Sequence, residues 1–155
     1  MTGVKATALF LAAVLLASCA GTPTTLAVKQ FVVRDQESGR GDEPMTAMEK
    51  NRHLLGAVSM EERRQRLGQY YTILWHDEAG AGGGPVEVVF QYQQGATASR
   101  VKRMSKRFPG SDGSGRAEFA VIGDDFFDNG KVLAWKATVS RGGKELASRH
   151  SYLWQ

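Results

Sequence analysis

Cysteine is almost absent from this chain, which has one such residue, Cys19, in 155. A single cysteine excludes a disulfide framework within the chain, so the folded protein must be held together by its core. The lone thiol has four conceivable uses: a reactive group, half of an intermolecular disulfide, a metal ligand or an attachment point. The residues around Cys19 bear on which of these uses applies.

The sequence also lacks the short patterns that carry common enzyme chemistry. None of His53, His76 and His150 has a partner at the H-x-H or H-E-x-x-H spacing of metal sites, and no serine stands in G-x-S-x-G. The glycine run from Gly80 to Gly84 is not followed by the Gly-Lys-Ser/Thr of a phosphate loop. These absences favour a non-enzymatic protein without metal or cofactor. An enzyme with an unusual or partner-completed site is the less favoured alternative.

Long apolar runs are missing as well, since the longest is the twelve-residue stretch from Ala6 to Ala17, in which Thr7 is the only polar residue. Such a run is well short of the roughly 20 residues that a membrane-spanning helix needs. It has no polar face, so it does not fit an amphipathic core helix either. With Lys5 before it and small residues after it, the stretch has the three regions of a secretory signal peptide.

The signal ends in Leu16, Ala17, Ser18 and Cys19, and this Leu-small-small-Cys pattern resembles the lipobox of bacterial lipoproteins. The resemblance implies diacylglycerol on the Cys19 sulfur, cleavage before Cys19 and acylation of the new amino group. Two or more acyl chains hold a protein firmly to a membrane. In that family an Asp after the cysteine often retains the protein in the inner membrane. Ala20 stands there instead, which favours the outer membrane, facing the periplasm.

The rest of the chain has the composition of one globular domain, with 18 glycines that cluster between apolar stretches. We predict a signal peptide over 1–18, a lipidated tether over 19–25 and a folded body over 26–155. Helices are expected only near 46–67. Strands are predicted over the following ranges: 26–35, 69–77, 86–94, 99–108, 115–123, 131–140 and 144–154.

About seven strands without βαβ alternation predict a mainly β fold, an antiparallel sandwich. The body resembles the immunoglobulin and fibronectin type III class in architecture only, because paired cysteines are missing. The whole chain resembles small uncharacterised bacterial lipoproteins with a β-sandwich body. Trp75 and Trp135 are candidate core residues.

Several local patterns give sharper expectations. Val86, Val88, Phe90 and Tyr92 alternate with mostly polar residues, which predicts a half-buried strand. A second inward face is predicted from four residues of the sixth strand: Leu133, Trp135, Ala137 and Val139. A tight turn at 141–143 predicts a hairpin between the last two strands.

The helical stretch has its own signals. Ser59 and Glu62 form a capping-box pattern, and Gly68 stands where a helix is expected to stop. One shared helix face is predicted for four apolar residues: Met45, Met48, Leu54 and Leu55.

A basic stretch is the sharpest candidate site: Arg100, Lys102, Arg103, Lys106 and Arg107. Three interpretations compete. The charges can protect an edge strand from aggregation, contact an anionic lipid surface, or bind a polyanion or acidic partner. Nucleic acid is a poor candidate because no aromatic residues interleave the stretch. The net charge of +4 is compatible with all three.

An acidic and aromatic segment follows, in which Asp124, Asp125 and Asp128 flank Phe126 and Phe127. It is predicted to form a solvated turn with its aromatic rings inward, and it does not match an EF-hand loop. The favoured function is a membrane-anchored, non-enzymatic envelope module. It is expected to contact the membrane through its N-terminal lipid and to bind another envelope protein. The alternative is a small-ligand or carbohydrate binder that uses its strand-connecting loops, including this one. The sequence leaves the oligomeric state open.

Overall fold

The computed structural model describes residues 25–34, 44–77 and 82–155. The predicted signal peptide, Cys19 and all of the tether before Thr25 lie outside these residues. Seven strands form two antiparallel sheets. The mainly β, sandwich-like fold predicted from the sequence is therefore confirmed.

The strands are β1 (Thr25–Val33), β2 (Gly68–His76), β3 (Val86–Gln94), β4 (Lys102–Phe108), β5 (Ser114–Ile122), β6 (Val132–Arg141) and β7 (Lys144–His150). The helices are α1 (Pro44–Leu54), α2 (Met60–Arg64) and α3 (Gly123–Asn129), with a 3-10 turn at Gly95–Thr97. No helix among the described residues is long and apolar enough to cross a bilayer.

The two sheets have the strand orders β1-β2-β5 and β4-β3-β6-β7. Thr25, His76 and Ser114 meet in register at one end of the three-stranded sheet. We term this the entry end, because β1 begins there. Helices α2 and α3 lie at the opposite end, where Val33, Gly68 and Ile122 meet. We term this the helical end.

The core lies between the sheets and follows the predicted alternation of β3. Val86, Val88 and Phe90 are fully buried and Tyr92 nearly so, while the residues between them are half-exposed. Sixteen apolar residues are buried within the part of the chain that the structure describes. A strand with one buried face, such as β3, is the arrangement that period-two patterning predicts. Trp75 is buried as expected, whereas Trp135 is only half-buried against this core.

The inward face predicted for β6 is only partly correct. Ala137 and Val139 are buried, but Leu133 is 55% exposed. The register of β6 against β3 shifts between Gln93 and Gln94, which leaves Leu133 as an extra residue and turns Val132 inward. A bulge of this kind reverses the faces on one side of it.

The helical stretch forms two helices, where one or two short helices were expected, and the capping box is confirmed. Ser59 Oγ accepts from the Glu62 amide at 3.1 Å, and the Glu62 carboxylate accepts from the Ser59 amide at 3.0 Å. Gly68 does not end a helix, because it is the first residue of β2. A Cβ there would lie 2.3 Å from the Val121 carbonyl oxygen, and its φ of +145° disfavours other residues.

The predicted apolar face of the helical stretch is wrong. Met45, Met48 and Leu55 are exposed, and only Leu54 is half-buried. Helix α1 is held instead by polar and aromatic contacts. His53 stacks on Tyr70 of β2 at 3.6 Å between ring centroids. The helix therefore covers the outer face of the three-stranded sheet without burying its own apolar side chains.

The acidic and aromatic segment was predicted to be a turn. It forms helix α3 instead. Asp124 and Asp125 occupy its first turn, where carboxylates complement the helix dipole. The Gly130 amide donates to the Phe126 carbonyl at 2.9 Å, and the φ angle of Gly130 is +79°. The Asp-Asn-Gly signal thus marks a helix end, and its aromatic rings are not fully inward, since Phe127 is 42% exposed.

Candidate interaction surface

Four of the five residues of the basic stretch lie on β4, an edge of the four-stranded sheet, and Arg100 precedes this strand. The edge position is confirmed for these four residues, and the role of the stretch stays open. Its side chains alternate. Lys102 and Lys106 share a face with the core residues of β3, whereas Arg103 and Arg107 lie on the outer face near Glu87, at 3.7 and 4.0 Å. The stretch therefore does not form one cationic patch.

The basic and acidic segments contact each other at the helical end. Lys102 Nζ donates to Asp125 Oδ1, and Asn129 donates to the same oxygen at 2.9 Å. The Tyr92 hydroxyl donates to Asp125 Oδ2 at 3.3 Å. Burial, followed by the neighbouring Asp125 carboxylate, raises the pKa of Tyr92 to about 12. Asp125 is thereby engaged by three side chains and ties α3 to β3 and β4.

Gln94 makes a second connection between β3 and α3. Its side chain is buried, and its Nε2 donates to the Asp125 carbonyl at 2.8 Å and to the Gly130 carbonyl at 3.0 Å. Both ends of the short helix are therefore fixed to the sandwich.

Helix α2 is joined to α3 at its other side. Arg64 donates to Asp124 at 2.7 Å, and this bond lowers the pKa of the Asp124 carboxyl. The Gly123 amide donates to the Leu67 carbonyl at 3.0 Å, and a Cβ at Gly123 would lie 2.3 Å from Gln65 Oε1. With φ of +58°, Gly123 lets the chain turn from β5 into α3 directly against the residues that follow α2.

A groove opens between these two helices. Met60, Glu61, Arg64, Leu67 and Phe127 line it, and its volume is about 360 Å³. The Arg64 guanidinium carbon lies 4.5 Å from the centroid of the Phe127 ring, a cation–π arrangement. The groove thus has apolar walls with charged groups at its rim.

Exposed apolar side chains are concentrated at the helical end. Among the described residues, eleven large apolar side chains are exposed, and seven of them belong to the turns, helices and strand ends there. These seven are Val32, Leu55, Val58, Met60, Val101, Phe127 and Leu133. Single exposed apolar residues are ordinary, but a concentration at one end indicates a binding surface.

The entry end has a different character, dominated by one buried ion pair. Arg141 Nε donates to Asp77 at 2.9 Å, and the two residues are 7% and 3% exposed. The remaining guanidinium nitrogens donate to the carbonyls of Gly110 at 2.9 Å, Asp112 at 2.7 Å and Gly84 at 3.4 Å. Arg141 therefore connects the end of β2 to the β2–β3 and β4–β5 loops.

Sequence reasoning missed this pair because nothing local marks it: the partners are 64 positions apart, and Arg141 also begins the β6–β7 turn. The groove was missed for the same reason, since its walls come from two segments about 60 positions apart, residues 60–67 and Phe127 of α3. Two signals of α3 are visible in the sequence: acidic residues in its first turn and Gly130 directly after its last residue. They were not recognised, because seven residues are too few to show a clear helical period.

The three histidines do not converge. His53 lies on α1 against Tyr70, where burial, followed by the charge of Arg52, lowers its pKa. His76 ends β2 at the entry end, and His150 ends β7. Within residues 25–34, 44–77 and 82–155, no group of three His, Cys, Asp or Glu side chains is arranged to hold a metal ion.

Comparison of the chain with protein-family models, with curated proteins and with solved structures finds no match.

Proposed function

We propose that this protein is a membrane-anchored envelope lipoprotein that displays a non-enzymatic interaction domain. Support for the anchor comes from the lipobox-like residues 16–19. Support for the interaction role comes from the concentration of exposed apolar side chains at the helical end. The single observation that carries the proposal is that β1 starts at the end of the sandwich opposite this surface.

The distances give the domain a direction. Six residue steps separate Cys19 from Thr25, and they span at most about 22 Å. The eight steps of β1 from Thr25 to Val33 cover about 26 Å. A lipid on Cys19 therefore holds the entry end near the bilayer, and the helical end points away from it when the strands stand upright.

The alternative is a small-ligand or carbohydrate binder that uses its strand-connecting loops, including Asp124–Asp128. That segment is a helix, and Asp124 and Asp125 are engaged by Arg64 and Lys102. We therefore favour the protein-interaction role over a ligand site at this segment.

Replacing the lipidated residue tests the anchor. We expect Cys19→Ala to move the protein from the membrane fraction to the soluble exported fraction, because alanine lacks the sulfur to which the proposed acyl chains are attached. Cell fractionation with immunoblotting measures this, and Ser18→Ala serves as the matched control because it keeps a small residue before the cysteine. Retention of the Cys19→Ala protein in washed membranes would contradict the proposal.

The proposal narrows the predicted lipid contact to the entry end. Arg107 is 77% exposed in its side chain and lies beside the β6–β7 turn, next to exposed Lys144. Arg100 precedes the opposite end of β4, about 20 Å away, which exceeds the Debye length of about 8 Å. Only the first of these two arginines is therefore placed to meet lipid head groups.

In nanodiscs that contain anionic lipid and a gadolinium-chelating lipid, we expect paramagnetic broadening of the amides of Arg107, Phe108 and Gly110 and of residues 142–144. Arg107→Glu should reduce it, because one basic residue near an anionic surface contributes about 1 kcal/mol. Arg100→Glu should leave it unchanged. Equal broadening at both ends of the sandwich, or none that depends on lipid charge, would contradict the contact.

A further inference from the structure

We propose that the groove between α2 and α3 binds an apolar side chain of a partner protein that carries a lysine or arginine beside it. This proposal deepens the interaction role above and rests on it. The groove supplies an apolar cavity of about 360 Å³, and three carboxylates, those of Glu61, Asp124 and Asp128, lie around the Arg64 guanidinium at its rim.

The apolar part of the groove is exposed although it adjoins the core. Leu67 at its base is 7% exposed, whereas Met60 is 71% and Phe127 is 42% exposed. Val58, which is 92% exposed, lies two residues before α2 and is a further exposed apolar side chain at this end. Met60 is an unbranched, polarisable side chain that adapts to different apolar partners. Covering these side chains would remove apolar area from water, which is the main driving force of association.

The rim selects the charge of the partner. Glu61 lines the groove, and Asp124 and Asp128 flank Phe127 on α3, against the single guanidinium of Arg64 on this rim. Arg64 already donates to Asp124 and lies over the Phe127 ring. The carboxylates of the rim thus outnumber its cation by two, and electrostatic complementarity requires a basic residue on the partner.

The residues of α2 that do not line the groove leave this balance unchanged. Glu62 is engaged in the capping box, and the nearby Arg66, whose guanidinium donates to the Leu55 carbonyl, offsets its charge. The excess of negative charge is therefore local to the groove.

The position of the groove argues against two other occupants. The bilayer that holds Cys19 is out of reach for an upright domain, because about 22 Å of tether cannot span the 26 Å of β1. A second copy meeting this one end to end would direct its anchor away from the same membrane. The occupant is therefore a different protein that approaches from the side away from the bilayer.

The full chain, purified from membranes into nanodiscs and labelled with ¹³C at the methionine methyl groups, tests the proposal. The probes are two blocked pentapeptides, Lys-Leu-Phe-Leu-Lys and Glu-Leu-Phe-Leu-Glu. We expect the lysine peptide to shift the Met60 methyl signal and to bind about fivefold more tightly than the glutamate peptide, as roughly one net favourable ion pair would give. The Met104 signal, from the half-buried side chain on β4, should not move.

A charge-reversal variant of the groove gives a more stringent test than the wild-type titration. In a Glu61→Lys, Asp128→Lys variant, we expect the preference to invert, so that the glutamate peptide shifts Met60 at lower concentration. Both positions are exposed, and unchanged Met104 and Met45 signals would show that the variant is folded. Inversion supports the proposal, because a merely hydrophobic groove would bind both peptides equally before and after the change.

Several outcomes would overturn the proposal: no Met60 shift with either peptide, equal affinity for both, or no inversion in the variant. A Met60 shift that depends on protein concentration alone would assign the groove to a second copy. A shift caused by anionic lipid alone would assign it to a membrane. If Cys19→Ala stays membrane-bound, the anchor proposal fails, but the peptide titration is read independently of that result.

Discussion

Replacement of Arg141 by methionine is expected to lower the free energy of unfolding by about 3–5 kcal/mol, because it leaves Asp77 as a buried charge without its guanidinium partner. The Gly84, Gly110 and Asp112 carbonyls also lose their donor. Methionine fills most of the volume of the arginine stem, so the loss reports the polar contacts rather than a cavity. Urea unfolding followed by tryptophan fluorescence, in a Cys19→Ala background, measures it.

Arg116→Met is the matched control. Arg116 pairs with Glu118 on β5, but both side chains are largely exposed, at 50% and 40%. An exposed pair of this kind contributes about 0–1 kcal/mol, so the control should unfold almost like the parent protein. Similar losses for the two variants would mean that the Arg141 contacts do not organise the entry end. A neutral Arg141→Met would lead to the same conclusion.

Phe90→Ala is expected to destabilise the sandwich by a comparable amount, about 3–5 kcal/mol. Phe90 is fully buried at the centre of β3. Its ring lies 4.5 Å from Tyr71, 5.5 Å from Phe119, 5.6 Å from Tyr92 and 6.4 Å from Trp135, measured between ring centroids. Truncation removes these contacts and leaves a cavity that neighbours on both sheets line.

The same substitution at Phe127 provides the control. Phe127→Ala removes an identical side chain from a partly exposed position, so we expect a loss within about 1 kcal/mol. Both losses are read from urea midpoints at constant slope. A Phe90→Ala variant with the stability of Phe127→Ala would show that the two sheets do not pack through this cluster.

What the sequence could predict of the fold depends on the range of each interaction. The alternation along β3 and the Ser59 capping box involve neighbours in sequence, and both were predicted. Gly142 and Gly143 have positive φ values of 56° and 86°, which is the conformation that a two-residue hairpin turn requires. These features could be inferred because the local sequence alone determines them.

The errors lie where distant segments decide the outcome. The bulge at Leu133 exists only relative to β3, so a single-strand pattern could not reveal it. The exposed faces of α1 depend on the sheet beneath it, where His53 and Tyr70 stack. The basic segment and the acidic segment were each identified from the sequence, but their contact was not. Their meeting through Lys102 and Asp125 is a property of the folded chain.

The register of β1 has a mechanical consequence. All nine residues from Thr25 to Val33 pair with β2 in one unbroken antiparallel ladder. A pull between an anchor before Thr25 and a partner held at the helical end would act along the strand axis, at right angles to these hydrogen bonds. The hydrogen bonds of the ladder would then be loaded in shear and would share the force. They would not break one after another from one end.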